Sequence, residues 1–237
     1  MTEWTAKRFW SEATVARDAR GWHVLLDNRP VRTPSKASMD LPTEAMAQAV
    51  AGEWAAQGEK IAPLTMPVTR SANSAIDRVA TQHAEVADML AAYAETDLLC
   101  HRADTPARLQ EQQASAWDPL LDWAEARFAA RLVPTTGILP AAQPEPALKN
   151  LSDAVHGLDA FQLTALHDLV SLSGSLILGL AVAHERLEPA EGWSLSRIDE
   201  DWQIAQWGED EEAAEAAARK FAEFLHAKRF WSLSSGA

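Results

Sequence analysis

A single cysteine, Cys100, stands among 237 residues. It excludes an intramolecular disulfide and any zinc site built from several thiolates, and it fits a reducing compartment. Basic residues are also scarce: 21 Lys and Arg face 34 Asp and Glu, a net charge of −13. Binding to duplex nucleic acid or to an anionic membrane needs clustered Lys and Arg, so both are disfavoured. Long apolar runs are missing too. The longest uncharged stretch, residues 169–184, contains Ser171, Ser173, Gly174 and Ser175. It falls short of the roughly 20 apolar residues that span a bilayer and reads as a buried helix, so membrane insertion is not expected. The opening MTEWTAKRFW has no apolar run after its charges and lacks the Arg/Ser-rich, acid-poor look of an organelle presequence.

Signatures of catalysis are equally sparse. Gly174 and Gly179 are spaced superficially like a phosphate loop, but Leu180 follows where that loop needs Lys. No glycine-rich dinucleotide fingerprint opens a helix after a strand. The seven histidines are scattered and none pairs at i, i+4, which argues against a histidine-built metal site. Cys100 and His101 are neighbours that point to different faces of a helix. His167-Asp168 reads as a satisfied core or interface histidine. Asp199, Glu200, Asp201 and Glu209 are the carboxylates available as an acid–base pair, yet neighbours on one helix do not converge across a cleft. No catalytic residue, metal or cofactor is expected.

What remains is a globular chain, 47% hydrophobic, long enough for one large domain or two modest ones. The pattern up to about Pro42 is that of short antiparallel strands. Thr14–Ala16 and Trp22–Leu26 flank the turn residues Asp18–Gly21, and Val31–Thr33 and Met39–Leu41 are further short strands. Helical spacing begins after Thr43, a plausible N-cap, with Gly58 as the expected stop. Ile61–Pro67 reads as an extended connection. The pattern is helical from Val68 nearly to Arg102, with a break near Ala80–His83. Another helix runs from Thr105-Pro106 to Leu132, kinked at Asp118-Pro119. Val133–Pro146 reads as a surface connection and Leu148–Val155 as a short helix. Asp159 caps a long helix to about Glu185, whose Ser175, Gly179 and Ala183 allow close helix approach. Ser194–Gln206 and a last helix from Glu209 complete the chain. The expected class is α+β: a small antiparallel β-rich domain with one helix over residues 1–67, then a larger all-helical domain over 68–237.

One stretch stands apart. Residues 199–212, DEDWQIAQWGEDEE, hold seven carboxylates and two tryptophans without a Lys or Arg. Large indoles are enriched where one protein buries itself on another, and surrounding acidic charge steers a basic partner. Two readings stay open: a recognition surface for another polypeptide, or core indoles beside carboxylates that start a helix. The dipole of the last helix accounts for Glu209–Glu212, but on this reading not for Asp199–Asp201.

A series of blocks, in order, identifies a resemblance over roughly Lys7 to Phe224. They are Lys7-Arg8-Phe9-Trp10, Arg29-Pro30-Val31-Arg32-Thr33-Pro34, and Glu53-Trp54 through Gln57-Gly58. Met66-Pro67-Val68-Thr69-Arg70 follows with Asn73 and Ile76-Asp77, then Tyr93-Ala94-Glu95-Thr96-Asp97 and Trp117-Asp118-Pro119-Leu120. Gly174-Ser175, Trp202-Gln203-Ile204 and Trp207-Gly208 complete the series. The chain resembles the ATP synthase assembly chaperones that hold the alpha subunit of the catalytic head, the Atp12 family. The resemblance implies a binding protein without turnover. Such a protein shields the unassembled alpha subunit over its beta-facing interface until the catalytic hexamer forms. It places partner recognition on Asp199, Glu200, Trp202, Gln203, Trp207, Gly208 and Glu209. The family more often carries Phe or Tyr where Trp202 stands. A protein monomeric when free is expected, cytoplasmic as in bacterial members, or in the mitochondrial matrix if a presequence has been removed from a eukaryotic chain. The alternatives are a carboxylate-dependent enzyme and a stable structural subunit of a complex.

Overall fold

The computed structural model describes residues 7–137 and 141–235. The first six residues and the middle of the Val133–Pro146 connection, discussed above from sequence, lie outside these. The chain divides into two compact units. One comprises residues 1–82, 159–165 and 229–237; the other comprises 83–158 and 166–228.

The first unit begins with an antiparallel sheet in the order β1 (Ala13–Asp18), β2 (Gly21–Leu26), β3 (Arg29–Pro30). Asp18 pairs with Gly21 across the expected tight turn. Asp27 and Asn28, both at positive φ, form a two-residue connection to β3, matching the twist that such hairpins require. The expected third strand is shorter than its pattern suggested. Beyond Pro30 only Arg32↔Ser38 and Trp22↔Leu41 bridge, because Pro34 cannot donate to a ladder. Val24 and Leu26 on the inner face are buried together with Met46, Ala47 and Val50 of α1 (Glu44–Ala55). Thr43 caps this helix as expected, its hydroxyl oxygen accepting from Met46 N–H at 3.1 Å.

The end of α1 differs from expectation. It stops three residues before Gly58, because side chains satisfy its last carbonyls in place of a left-handed glycine. Arg8 donates to the carbonyls of Ala55 and Gln57, and the Gln57 amide donates to the Glu53 carbonyl. The Glu53 carboxylate in turn accepts from the N–H groups of Val68 and Thr69, at 2.7 and 2.8 Å. It thereby caps α2 (Pro67–Asp77), which has no side-chain cap of its own. Pro63–Thr65, expected as extended, forms a single 3-10 turn.

In the second unit, α3 (His83–Ala91) follows the break expected near Ala80–His83, but helical geometry then gives way to 3-10 turns over residues 92–96 and 98–100. The helices α4 (Ala107–Phe128, with Pro119 inside) and α5 (Glu145–His156) surround a two-stranded parallel pairing of β4 (His101–Arg102) with β5 (Thr135–Thr136) in chain order. Asp159 caps α6 (Ala160–Ser173), accepting from Phe161 and Gln162 N–H.

The long helix expected from Asp159 to Glu185 is two helices. Gly174 turns left-handed at φ +72, and Ser175 caps a new helix, α7 (Leu176–Ala183), accepting from Leu178 N–H at 3.0 Å. The partner that fixes this break is Asp97, fully buried. Its carboxylate accepts from Ser175 Oγ, Ile177 N–H and Leu99 N–H at 2.7, 3.1 and 3.0 Å. All eight residues of α7 are buried.

The close approach expected of the small residues is present at Gly179. A Cβ there would lie 2.7 Å from Val170 Cγ2 and 3.3 Å from the Val170 nitrogen. Gly179→Ala is therefore expected to destabilise the protein by about 1–3 kcal/mol through overpacking, measured by urea unfolding. An unchanged midpoint would show that α6 and α7 can separate freely.

Candidate partner-binding surface

Three helices close the chain: α8 (Pro189–Ser196), α9 (Ile198–Trp207) and α10 (Glu211–Ser235). The helix expected over Ser194–Gln206 is broken at Arg197, whose backbone leaves helical values. This break corrects the electrostatic reading of the acidic stretch. Asp199, Glu200 and Asp201 form the first turn of α9, so they meet its positive end just as Glu211 and Glu212 meet that of α10. Gly208 ends α9, its N–H bonding to the Ile204 carbonyl, and the Asp210 side chain caps α10 through Ala213 N–H at 2.8 Å.

Within α9 the candidate residues separate by helix face. Asp199 and Trp202, three residues apart, share one face. Asp199 Oδ1 accepts from the amide of the fully buried Gln113 at 2.5 Å, and the other end of that amide accepts from Ala103 N–H. Trp202 is half-buried beneath the Arg108 guanidinium, 6.0 Å from the ring centroid. These two side chains hold α9 on α4. A second anchor comes from Trp117, fully buried on α4, whose indole N–H donates to the Leu195 carbonyl at 2.9 Å.

The remaining candidates point outward. Glu200, Gln203, Trp207, Gly208 and Glu209 are all exposed. Trp207 stands out at 79% exposed, an indole left in water at the elbow between α9 and α10. Five residues separate it from Trp202, about 140° around a helix, so the two indoles cannot share an environment. The supporting pair Gln113 and Arg108 escaped the sequence reading, since nothing local marks a residue that acts on a helix some ninety positions away.

Elsewhere the titratable groups are unlike those of a reactive site. Burial, together with the neighbouring Asp97, pushes the Cys100 thiol up to about 12, which leaves negligible thiolate at neutral pH. Asp168 accepts a hydrogen bond from His167 at 2.9 Å and raises its proton affinity; both are partly exposed neighbours on α6. Among the described residues no group of three or more His, Cys, Asp or Glu is placed to hold a metal ion, and no helix is long and apolar enough to cross a membrane.

Comparison with known proteins agrees with this architecture. A family model described as ATP12 chaperone protein matches residues 7–125. The crystal structure of Atp12 from Paracoccus denitrificans superposes with a TM-score of 0.94 at 51% identity, covering 97% of this chain and 98% of that one. The Atu1473 protein of Agrobacterium tumefaciens gives 0.90 at 38% identity, covering 98% and 87%. Protein atp12, mitochondrial, of Schizosaccharomyces pombe is 24% identical over 221 residues, 88% of this chain and 76% of the fungal protein. With its N-terminal sheet, its helical remainder and the residue blocks that run through both, the chain belongs to the ATP12 chaperone family.

Proposed function

We propose that this chaperone of ATP synthase assembly holds the unassembled alpha subunit, covers its beta-facing interface and leaves as the catalytic hexamer forms. The observation that carries the reading is Trp207, exposed and ringed by carboxylates that have no basic neighbour in sequence. A large indole in water gains by docking onto apolar ground, which an orphan subunit interface exposes in quantity. The acidic rim of Glu200 and Glu209 speeds capture of a locally basic surface, whereas one aromatic anchor keeps release possible. Turnover on a small molecule forms no part of this mechanism.

Glu200→Lys and Glu209→Lys are expected to slow capture of the alpha subunit several-fold and to weaken its salt dependence. Both side chains are exposed, so the melting temperature of the chaperone should stay unchanged. Association rates at two ionic strengths, set beside a thermal melt, check this; normal capture by both variants rejects the acidic rim. For the function itself, a pull-down from cells lacking the beta subunit should enrich the alpha subunit. Recovery of the protein at one copy per mature ATP synthase would instead make it a permanent subunit.

A further inference from the structure

The sheet of the first unit carries a different surface, one whose argument owes nothing to Trp207. In the order β1-β2-β3, β1 is an edge strand. Trp22 exchanges both of its backbone bonds with Leu41, and the Val24 carbonyl accepts from Val31 N–H. These two residues of β2 thus turn their backbone groups away from β1. Their register partners are Arg17 and Val15. In an antiparallel ladder, such pairs point their N–H and C=O groups outward on both strands. Val15 and Arg17 accordingly present a free row of donors and acceptors, with no backbone partner among the described residues. An edge of this kind is a template for an added strand.

The chemistry beside the edge selects what is added. Ala16, Leu25 and Val31 contribute to an apolar floor under a cavity of about 330 Å³, which Arg17 and Arg32 also line. Both arginines are exposed, and neither has a carboxylate partner among the described residues. Arg17 lies over the Trp22 ring at 5.3 Å, and Arg32 donates to the Lys36 carbonyl at 2.9 Å. The one carboxylate at the cavity, Asp18, is already held by His23 at 2.7 Å and Arg20 at 3.0 Å. Regional charge points the same way. Residues 1–82 hold ten Lys and Arg against nine Asp and Glu, while residues 83–237 hold eleven against twenty-five.

We propose that an extended, acidic segment of a partner polypeptide adds to the open edge of β1 and sets its carboxylates on Arg17 and Arg32. Backbone pairing through Val15 and Arg17 supplies the docking and fixes register, and the two guanidinium groups select charge. The test uses the full-length chain, isotopically labelled, titrated with a short blocked peptide that alternates Glu with Val and with its Lys counterpart. The Glu peptide should shift the amide signals of Val15 and Arg17 and slow their hydrogen exchange; the Lys peptide should do neither. Reversing both exposed arginines, Arg17→Glu with Arg32→Glu, should weaken the Glu peptide about tenfold or more, since each removes a charge-assisted bond. Val15→Pro removes an outward N–H without touching the β1–β2 ladder and should weaken it as well. The proposal is overturned if the two amides gain no protection, if the Lys peptide binds equally, or if the double reversal leaves affinity unchanged. Displacement of the peptide by millimolar inorganic phosphate, with no protection at the edge, would mark a small-anion pocket and overturn it too.

Discussion

Asp97→Ala is expected to lower the unfolding free energy by about 3–5 kcal/mol, because it strands three buried donors at once, each worth about 1–3 kcal/mol when unsatisfied. Those donors are the Ser175 hydroxyl and the N–H groups of Ile177 and Leu99. Together they fasten the start of the wholly buried α7 to the turn after residue 96, so the loss reaches the centre of the second unit. Chemical denaturation measures it, and a cost below 1 kcal/mol would mean that water or a rearranged backbone replaces the carboxylate.

Asp97→Asn separates shape from charge through pH. Burial raises the proton affinity of Asp97 above the ordinary aspartate value of 3.8, against the opposing hydrogen bonds from Ser175 and nearby N–H groups. The unfolded chain releases this proton at lower pH than the folded one. In that window the native state binds more protons, and wild-type stability falls as pH rises through it. Asparagine has no such proton, so the stability gap between wild type and Asp97→Asn should narrow as pH rises from about 4 to about 7. A gap that widens over that range would show that hydrogen bonding, not desolvation, dominates the carboxylate.

Trp207→Ala should divide binding from folding. At 79% exposed the indole contributes little to the core, so the unfolding free energy should move by no more than about 0.5 kcal/mol. Capture of the alpha subunit, in contrast, should weaken by about 2 kcal/mol or more, roughly thirtyfold, as for a truncated aromatic anchor at an interface. Trp202→Ala is the control. It removes the half-buried ring under Arg108, so it should cost stability and affect capture only through the position of α9. Affinity for purified alpha subunit, with unfolding curves for both variants, decides the matter. Normal capture by Trp207→Ala removes the elbow from the binding surface.

The features that sequence reading reached were those set within a few residues. The Asp18–Gly21 turn, the Thr43 cap and the Asp159 cap each depend on one short side chain and the backbone it folds back onto. Features set at a distance were missed. Gly58 is a good helix stop by type, yet Arg8, nearly fifty residues earlier, takes the terminal carbonyls first. Gly174-Ser175 lies in a run apolar enough for one helix, and Asp97 makes it two. The same holds at the elbow. Spacing alone places Trp202 and Trp207 on different faces of α9, but it does not say which face is wet.

The sequence by itself determined the class of the molecule, a short sheet followed by helices, because alternation, helical spacing and caps are local properties. It also determined what the molecule is not equipped to do, through its charge and its lack of thiols and reactive motifs. Only the tertiary structure decided that Asp199 and Trp202 are anchors while Trp207 stands in solvent. Burial depends on which residues of α4 come to lie opposite, and Gln113 and Arg108 are brought there by packing across some ninety positions of chain.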